Sequence, residues 1–265
     1  MPLSAAAMPI ATDANGLTAG MQRIPVRDAV LPGYVAQPKG ARNRPVVIVV
    51  PEVWGLHEYI RDVCRRLAKD GYVAIAPDFF ARAGDPAPLT EWTEIAAIVG
   101  TATHAQVMAD IGATLDMVAR GELRAADPAR IAITGFCWGG FVTWMACAQF
   151  VQFKAGVAWY GRLARPTAPN ALFTDERPFP VDVAAQLKAP VLGLYAEQDQ
   201  AIPLDDVEAM RAALGAAGKT SSSIYVYPGT QHGFHADYRD VYDEAAAKDG
   251  WARMKSFFAQ HGAGE

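Results

Sequence analysis

The five residues Gly135-Phe-Cys-Trp-Gly139 constrain the fold most, because they lie between an apolar, strand-like run (130–134) and a helical pattern (141–150). They match the G-x-S-x-G turn from a strand into a helix, with cysteine in place of serine. Glycines two residues before and after the centre let the backbone bend sharply without side-chain clashes. The pattern therefore predicts Cys137 as a nucleophile at the tip of this turn. The alternative is a glycine-rich turn with a buried structural cysteine.

Composition and charge exclude several classes of function. The chain has 265 residues, 51% of them hydrophobic, which is enough to bury a full core. Its net charge of −4 indicates no basic surface for nucleic acid, and no apolar run is long enough to span a membrane. Cys64, Cys137 and Cys147 lack C-x-x-C spacing, which argues against a disulfide framework and a structural zinc site. We expect a small-molecule substrate, and no metal, nucleic-acid or membrane partner.

The first twenty residues are rich in alanine and poor in charge. This composition predicts a poorly ordered segment over residues 1–20, followed by a single domain over residues 21–265. The segment lacks the basic start and the long apolar stretch of an export signal, which favours a cytoplasmic location. Residues 3–8 could be the remnant of a removed signal, in which case the protein would be exported.

Strand-like and helical patterns alternate along the chain, which predicts an α/β fold with a mostly parallel sheet and helices on both faces. Residues 45–51 form a continuous apolar run, as expected of a strand that is buried on both faces. Residues 79–103 interrupt the alternation as an excursion above the sheet. The other expected strands are 22–26, 33–37, 72–76, 130–134, 155–159, 190–195 and 222–227. The expected helices are 57–70, 103–120, 141–150, 204–215 and 239–260.

A cysteine nucleophile needs a base, and downstream of Cys137 the sequence offers His232, His235 and His261. His232 lies in a loop directly after the last expected strand, where ligand and catalytic sites are common. His235, three residues later, is the rival base. His261 lies in the C-terminal tail, a poor place for chemistry. The first two histidines could in principle hold a metal, but no third ligand is evident nearby.

The base in turn needs an orienting acid, which in chains with this turn follows the nucleophile and precedes the histidine. The residues after the strand 190–195 offer Glu197 and Asp199, and Asp199 is the predicted acid. Its alternative role is a charge at the N-terminus of the helix that begins just beyond it.

Glu52 follows the apolar run 45–51, which is an unusual place for a surface carboxylate. In folds with this turn, the loop after that strand supplies a backbone N–H to the oxyanion. The predicted donors are therefore the N–H groups of Val53 and Trp138. Glu52 would then lie beside the thiol of Cys137. The alternative is a carboxylate that caps the helix beginning near His57.

Together these segments resemble the dienelactone hydrolase family of α/β hydrolases. The resemblance runs from about Gln22 to the end and rests on residues 51–56, 77–82, 135–140, 195–199 and 232–234. It implies an α/β-hydrolase fold and a triad of Cys137, Asp199 and His232. The triad would hydrolyse lactones or esters through an acyl-cysteine, without a cofactor.

The resemblance also assigns roles outside the triad. It implies that Glu52 contacts the cysteine and responds to substrate, and that Arg82 contacts a substrate carboxylate. In the best-known members a second arginine lies four residues after the catalytic histidine, but here that position is Ala236. This departure weakens the prediction of a small carboxylated lactone as the substrate.

Other functions occur on the same fold. An acyl-CoA thioesterase or acyltransferase would need basic residues for the CoA phosphates, and a general carboxylesterase would not. Basic and acidic residues are mixed between 162 and 188: Arg162, Arg165, Asp175, Glu176, Arg177, Asp182 and Lys188. A non-catalytic binding protein is a further alternative, because a fold does not fix a function. The complete candidate triad argues against it.

Overall fold

One eight-stranded sheet organises the protein. The computed structural model describes residues 9–168 and 170–265. The strands are β1 (Leu17–Pro25), β2 (Val30–Pro38), β3 (Arg44–Val50), β4 (Val73–Pro77), β5 (Ala126–Phe136), β6 (Phe153–Trp159), β7 (Val191–Ala196) and β8 (Ser223–Tyr227). Their order across the sheet is β1-β2-β4-β3-β5-β6-β7-β8.

Most of the sheet is parallel, as the alternating sequence pattern predicts. β1 and β2 pair antiparallel, β2 pairs antiparallel with β4, and the remaining neighbours are parallel. The carboxyl ends of the parallel strands therefore meet at one edge of the sheet. β5 lies between β3 and β6, so the loops after these three strands are neighbours. The α/β prediction is confirmed.

Within the described residues, six helices connect the parallel strands and a seventh follows β8. They are α1 (Glu58–Lys69), α2 (Trp92–Val99), α3 (His104–Ala119), α4 (Trp138–Gln149), the short α5 (Pro180–Val183), α6 (Leu204–Ala216) and α7 (Glu244–Gln260). The hydroxyl of Thr103 accepts a hydrogen bond from the backbone N–H of Gln106 and caps α3. No helix in this part of the chain is long and apolar enough to cross a membrane.

The core lies along the central strands. In β3, every residue after Arg44 is buried, which explains why the sequence shows an unbroken apolar run instead of an alternating one. α4 is buried from Trp138 to Ala148, since it packs against β5 and β6. Its sequence accordingly has no polar face. The most deeply buried helix therefore begins at the predicted nucleophile.

Most bounds differ from the sequence prediction by a few residues, α2 lies where no helix was expected, and two further differences bear on the interpretation. Leu17–Gly20 belong to β1 and pair with β2, so the expected disorder over residues 1–20 is wrong for these four residues. Residues 1–8 lie outside the described chain. The last helix begins at Glu244, five residues later than expected, because Asp243 caps it through a hydrogen bond to the N–H of Ala246. The single domain over residues 21–265 stays a prediction, with which the one continuous sheet agrees.

Candidate active site

Cys137 occupies the turn between β5 and α4. Its backbone adopts φ 53° and ψ −112°, a region that side-chain-bearing residues rarely enter. The residues on either side must be glycines, because a side chain there would collide with the backbone. A Cβ on Gly135 would collide with the carbonyl of Gly139, and a Cβ on Gly139 would collide with the carbonyl of Val50. Cys137 is half-buried whereas the other two cysteines are buried, so the structure favours an accessible thiol over a structural one.

His232 and Asp199 meet above the carboxyl ends of β7 and β8. The Nδ1 atom of His232 lies 2.7 Å from Oδ2 of Asp199. The other carboxylate oxygen accepts hydrogen bonds from the N–H groups of Ala201 at 2.8 Å and Ile202 at 3.1 Å. These bonds fix the carboxylate toward the imidazole. Glu197, the other candidate acid, instead accepts a hydrogen bond from a backbone N–H at the protein surface.

The surroundings of His232 favour its protonated form. Burial lowers the pKa of this imidazole. The charge of Cys137 and the hydrogen bond to Asp199 have the larger, opposite effect and raise the pKa to about 10. An imidazolium next to a cysteine stabilises the thiolate, which is the nucleophilic form.

One pocket contains both Cys137 and His232. Aromatic and aliphatic side chains form most of its described wall, namely Val53, Trp54, Trp92, Trp138, Tyr160, Leu172, Phe173, Ala201 and Ile202. Val53 and Trp138, whose N–H groups are the predicted oxyanion donors, are both in this wall. Trp138 is the first residue of α4, so its N–H has no acceptor within the helix and lies at the positive end of the helix dipole.

Glu52 is fully buried at the end of β3. Its Oε1 accepts hydrogen bonds from Nε2 of His57, at 2.9 Å, and from the hydroxyl of Tyr238. Within the described residues, its Oε2 has no hydrogen-bond partner. Burial, followed by the charges of Glu52 and Cys137, raises the pKa of Tyr160, so both groups lie near this tyrosine. Glu52 contacts the side chain of His57 at the start of α1. It does not cap this helix, because no side chain accepts a hydrogen bond from the first N–H groups of α1.

His235 occupies a different environment from His232. It is buried between the rings of Trp159 and Trp251, and its Nδ1 lies 2.6 Å from the hydroxyl of Tyr59. Burial, assisted by the charge of Arg66, lowers the pKa of His235 to about 3. A neutral histidine enclosed in this way has no access to the pocket. His235 is therefore a structural residue.

Arg82 lies away from the pocket wall. Its guanidinium forms paired hydrogen bonds with Asp28, at 2.6 and 3.0 Å, and with Asp110, at 2.8 and 2.9 Å. These bonds join the loop after β4 to α3 and to the β1–β2 connection. The expectation that Arg82 contacts a substrate carboxylate does not fit this position, because two carboxylates already occupy its donors.

The pocket contains two arginines that the sequence patterns did not single out. Arg162 follows β6, and Arg239 lies in the segment before α7. Arg239 was expected to begin the last helix, and nothing in its spacing indicated a pocket residue. A signal existed for Arg162 and for Tyr160, since both follow a parallel strand directly. No group of three potential metal ligands occurs in residues 9–168 and 170–265.

Comparisons with known proteins identify the proteins to which this chain is similar. The model of the dienelactone hydrolase family matches residues 31–262. A protein of Methylorubrum extorquens named "Putative carboxymethylenebutenolidase" is 50% identical over 259 residues, covering 97% of this chain and 86% of the relative. A protein of the same name from Salmonella typhi is 46% identical, covering 96% and 91%. The crystal structure of a "Putative Dienelactone Hydrolase" from Klebsiella pneumoniae is 46% identical, with a TM-score of 0.84 and coverage of 92% and 99%.

Proposed function

Because the chain belongs to the dienelactone hydrolase family and is a carboxylic ester hydrolase of α/β-hydrolase fold, we propose that it uses a cysteine triad. Cys137 is the nucleophile, His232 the base and Asp199 the orienting acid. One observation carries this assignment. The thiol and the imidazole face the same pocket, and the imidazole is held 2.7 Å from a buried carboxylate.

Acylation follows from this arrangement. The thiolate of Cys137 attacks the carbonyl carbon of a lactone or ester, and the carbonyl oxygen becomes an oxyanion. The N–H groups of Val53 and Trp138 stabilise that charge. When the intermediate collapses, the bond to the leaving oxygen breaks, and His232 donates its proton to that oxygen. An ester gives a free alcohol or enol and an acyl-cysteine, whereas a lactone opens to an acyl-cysteine that keeps the new hydroxyl group.

Deacylation uses the same groups in reverse. Neutral His232 takes a proton from water, and the resulting hydroxide attacks the acyl carbon. The second oxyanion collapses, the C–S bond breaks and the thiolate is restored beside the imidazolium. A thiolate suits good leaving groups such as enol esters, so we expect ester and lactone hydrolysis without peptidase activity.

Glu52 is the candidate for control of this cycle. It is a buried carboxylate close to the tyrosine that also lies near Cys137, and it would disfavour the thiolate by like-charge repulsion. In the structure its one hydrogen-bonded oxygen is engaged by His57 and Tyr238. We propose that Glu52 tunes the reactivity of Cys137 from this position.

The acyl-CoA alternative has little support among the basic residues. Of the four between 162 and 188, only Arg162 lines the pocket. Arg165 donates a hydrogen bond to the carbonyl of Arg177, which is itself buried against Asp175. Lys188 donates to a backbone carbonyl near the end of α4. These contacts leave no cluster of free cations for the CoA phosphates among the basic residues of this segment.

The proposal is tested with Cys137→Ala and p-nitrophenyl acetate. Loss of a triad nucleophile lowers kcat by several orders of magnitude, with the remainder supplied by the oxyanion donors. Denaturing mass spectrometry during wild-type turnover should detect one acyl group, on Cys137. Circular dichroism should give the same spectrum for variant and wild type. A folded variant that keeps more than about a tenth of the activity would exclude Cys137 as the nucleophile.

A further inference from the structure

The hydrogen bonds that described residues donate to the side chain of Glu52 all reach one of its two oxygens. Oε1 accepts from Nε2 of His57, at 2.9 Å, and from the hydroxyl of Tyr238, whereas Oε2 has no hydrogen-bond partner among the described residues. In the described chain, His57 is also the only basic side chain that pairs with this carboxylate. A fully buried carboxylate is costly without partners, so its charge depends on these two donors.

The two donors come from different parts of the fold and are packed together. His57 directly precedes α1, and Tyr238 lies between β8 and α7. Their rings are in edge contact, with 5.2 Å between the centroids, and they lie 5.8 and 5.3 Å from the ring of Tyr59. The hydroxyl of Tyr59 in turn lies 2.6 Å from Nδ1 of His235. Packing against a buried neighbour therefore fixes both donors in place.

The strand that ends before Glu52 packs against the turn of Cys137. β3 pairs with β5 up to the start of this turn, and a Cβ on Gly139 would lie 2.6 Å from the carbonyl oxygen of Pro51. Burial, followed by the charges of Glu52 and Cys137, raises the pKa of Tyr160, so both charges lie near one hydroxyl. The carboxylate and the thiol are therefore close enough for the charge of one to affect the ionisation of the other.

The two donors stabilise the charged form of Glu52. A hydrogen bond to an ionised group favours that form by about ten- to a hundredfold. Without the bond, burial favours the neutral acid, which does not repel a thiolate. Loss of a donor should therefore make the thiolate of Cys137 more favourable.

We infer that His57 and Tyr238 are positioning residues, which hold Glu52 as a carboxylate and thereby restrain the thiol of Cys137 between turnovers. The inference rests on the proposed function, in which Glu52 tunes the reactivity of Cys137. Neither donor belongs to the described pocket wall, so each acts through the carboxylate. A restrained thiol resists oxidation, because oxidation follows thiolate character.

Substitutions that differ in one hydrogen bond test this inference. Tyr238→Phe removes a hydroxyl and keeps the ring. His57→Leu removes the other donor, whereas His57→Gln keeps a side-chain N–H donor. Mass spectrometry measures the rate of iodoacetamide labelling at Cys137 between about pH 5 and pH 9. Tyr34→Phe, which removes a hydrogen-bonded hydroxyl outside the pocket, is the matched control.

Tyr238→Phe and His57→Leu should each move the labelling midpoint to lower pH and raise the rate at neutral pH by up to about tenfold, as Glu52→Gln does. His57→Gln and Tyr34→Phe should label like wild type. In a Glu52→Gln background, neither donor substitution should have a further effect, because the carboxylate through which the donors act is gone. The inference fails if a single donor substitution leaves the midpoint unchanged or raises it, if His57→Gln acts like His57→Leu, or if a further effect appears in that background.

Glu52→Gln separates failure of this inference from failure of the proposed function. If Glu52→Gln leaves labelling unchanged, Glu52 does not tune the thiol, and the proposed function is wrong on that point. If Glu52→Gln accelerates labelling and loss of the donors does not, the inference is wrong and the proposed role of Glu52 stands. Circular dichroism checks that each variant is folded. Tyr238→Phe, which removes a single oxygen atom, keeps the test decisive if a variant at His57 does not fold.

Discussion

At the residue scale, the candidate catalytic side chains lie where strands of the sheet end. Cys137, Glu52 and Asp199 follow strands directly, so motif and strand end together fixed their place at the carboxyl edge of the sheet. His232 was preferred over His235 for the same reason, and the burial of His235 explains the difference between them. Arg82 was placed by resemblance alone. Its two carboxylate partners come from distant segments, which spacing along the chain cannot indicate.

The buried carboxylate of Glu52 leads to the first prediction. Glu52→Gln removes a negative charge near Cys137, so the thiolate becomes more favourable. Iodoacetamide should label Cys137 faster at neutral pH in this variant than in wild type, because alkylation follows thiolate content. Mass spectrometry of the labelled peptide measures the rate. Asp205→Asn, at an exposed position in α6, is the control with the same change in charge. Labelling as slow as in the control would show that Glu52 does not govern the thiol.

At the element scale, the sequence predicts strands better than loops. β3 and the helices that follow the parallel strands lie within a few residues of their expected bounds, because long apolar periodic runs carry strong signals. The predicted start of α7 was wrong because two residues before Glu244 have other contacts. Tyr238 donates a hydrogen bond to Glu52, and Arg239 lines the pocket. A local pattern cannot register such long-range contacts.

The turn between β5 and α4 gives the second prediction. In Gly139→Ala, the added methyl group would collide with the carbonyls of Val50 and Pro51, so the end of β3 must move. Overpacking of this kind costs about 1–3 kcal/mol, and here it would also displace the oxyanion loop. Urea unfolding and esterase assays measure both effects. Gly215→Ala, in the exposed part of α6 with open space around it, should instead stabilise the protein by about 0.5–1 kcal/mol. A Gly139→Ala protein with wild-type stability and activity would contradict the packing argument.

Arg82 gives the third prediction, because it joins three elements. Its partner Asp110 has a side chain that is only 2% exposed, so Arg82→Ala would leave a buried carboxylate unpaired. We expect the free energy of unfolding to fall by about 3–5 kcal/mol. Asp28→Asn, which removes the exposed partner, should cost far less. If Arg82 instead binds substrate, its loss would reduce activity on acidic esters selectively and leave stability unchanged.

At the scale of the whole molecule, His235 is a buried histidine whose contacts come from segments distant along the chain. His235 connects α1, through Tyr59, with the packing of Trp159 and Trp251. Burial holds its pKa at about 3, below the value of an exposed histidine. The folded protein therefore binds fewer protons than the unfolded chain between about pH 3 and pH 6.5. The stability that His235 contributes is complete above this range and is lost as the pH falls through it.

The fourth prediction follows from this loss of stability at low pH. Between pH 7 and pH 5, this single group should lower the free energy of unfolding by about 2 kcal/mol. In His235→Gln the acid sensitivity should shrink by that amount, although the variant starts from a lower stability at pH 7. Urea unfolding of both proteins at the two pH values measures the difference. Equal acid losses in the two proteins would mean that His235 is already charged, or not buried, in solution.

The sheet holds the residues of the proposed chemistry more rigidly than the rest of the pocket wall. The proposed triad and the oxyanion donors are fixed by strand ends, and neither can shift without disturbing the core. Other residues of the pocket wall, Leu172, Phe173 and Arg239, lie in connecting segments away from those strand ends. Such loops can vary in length and sequence while the sheet remains intact. Descendants of one ancestor could therefore exchange the ligands they accept by loop variation alone, and retain the chemistry of the bond they break.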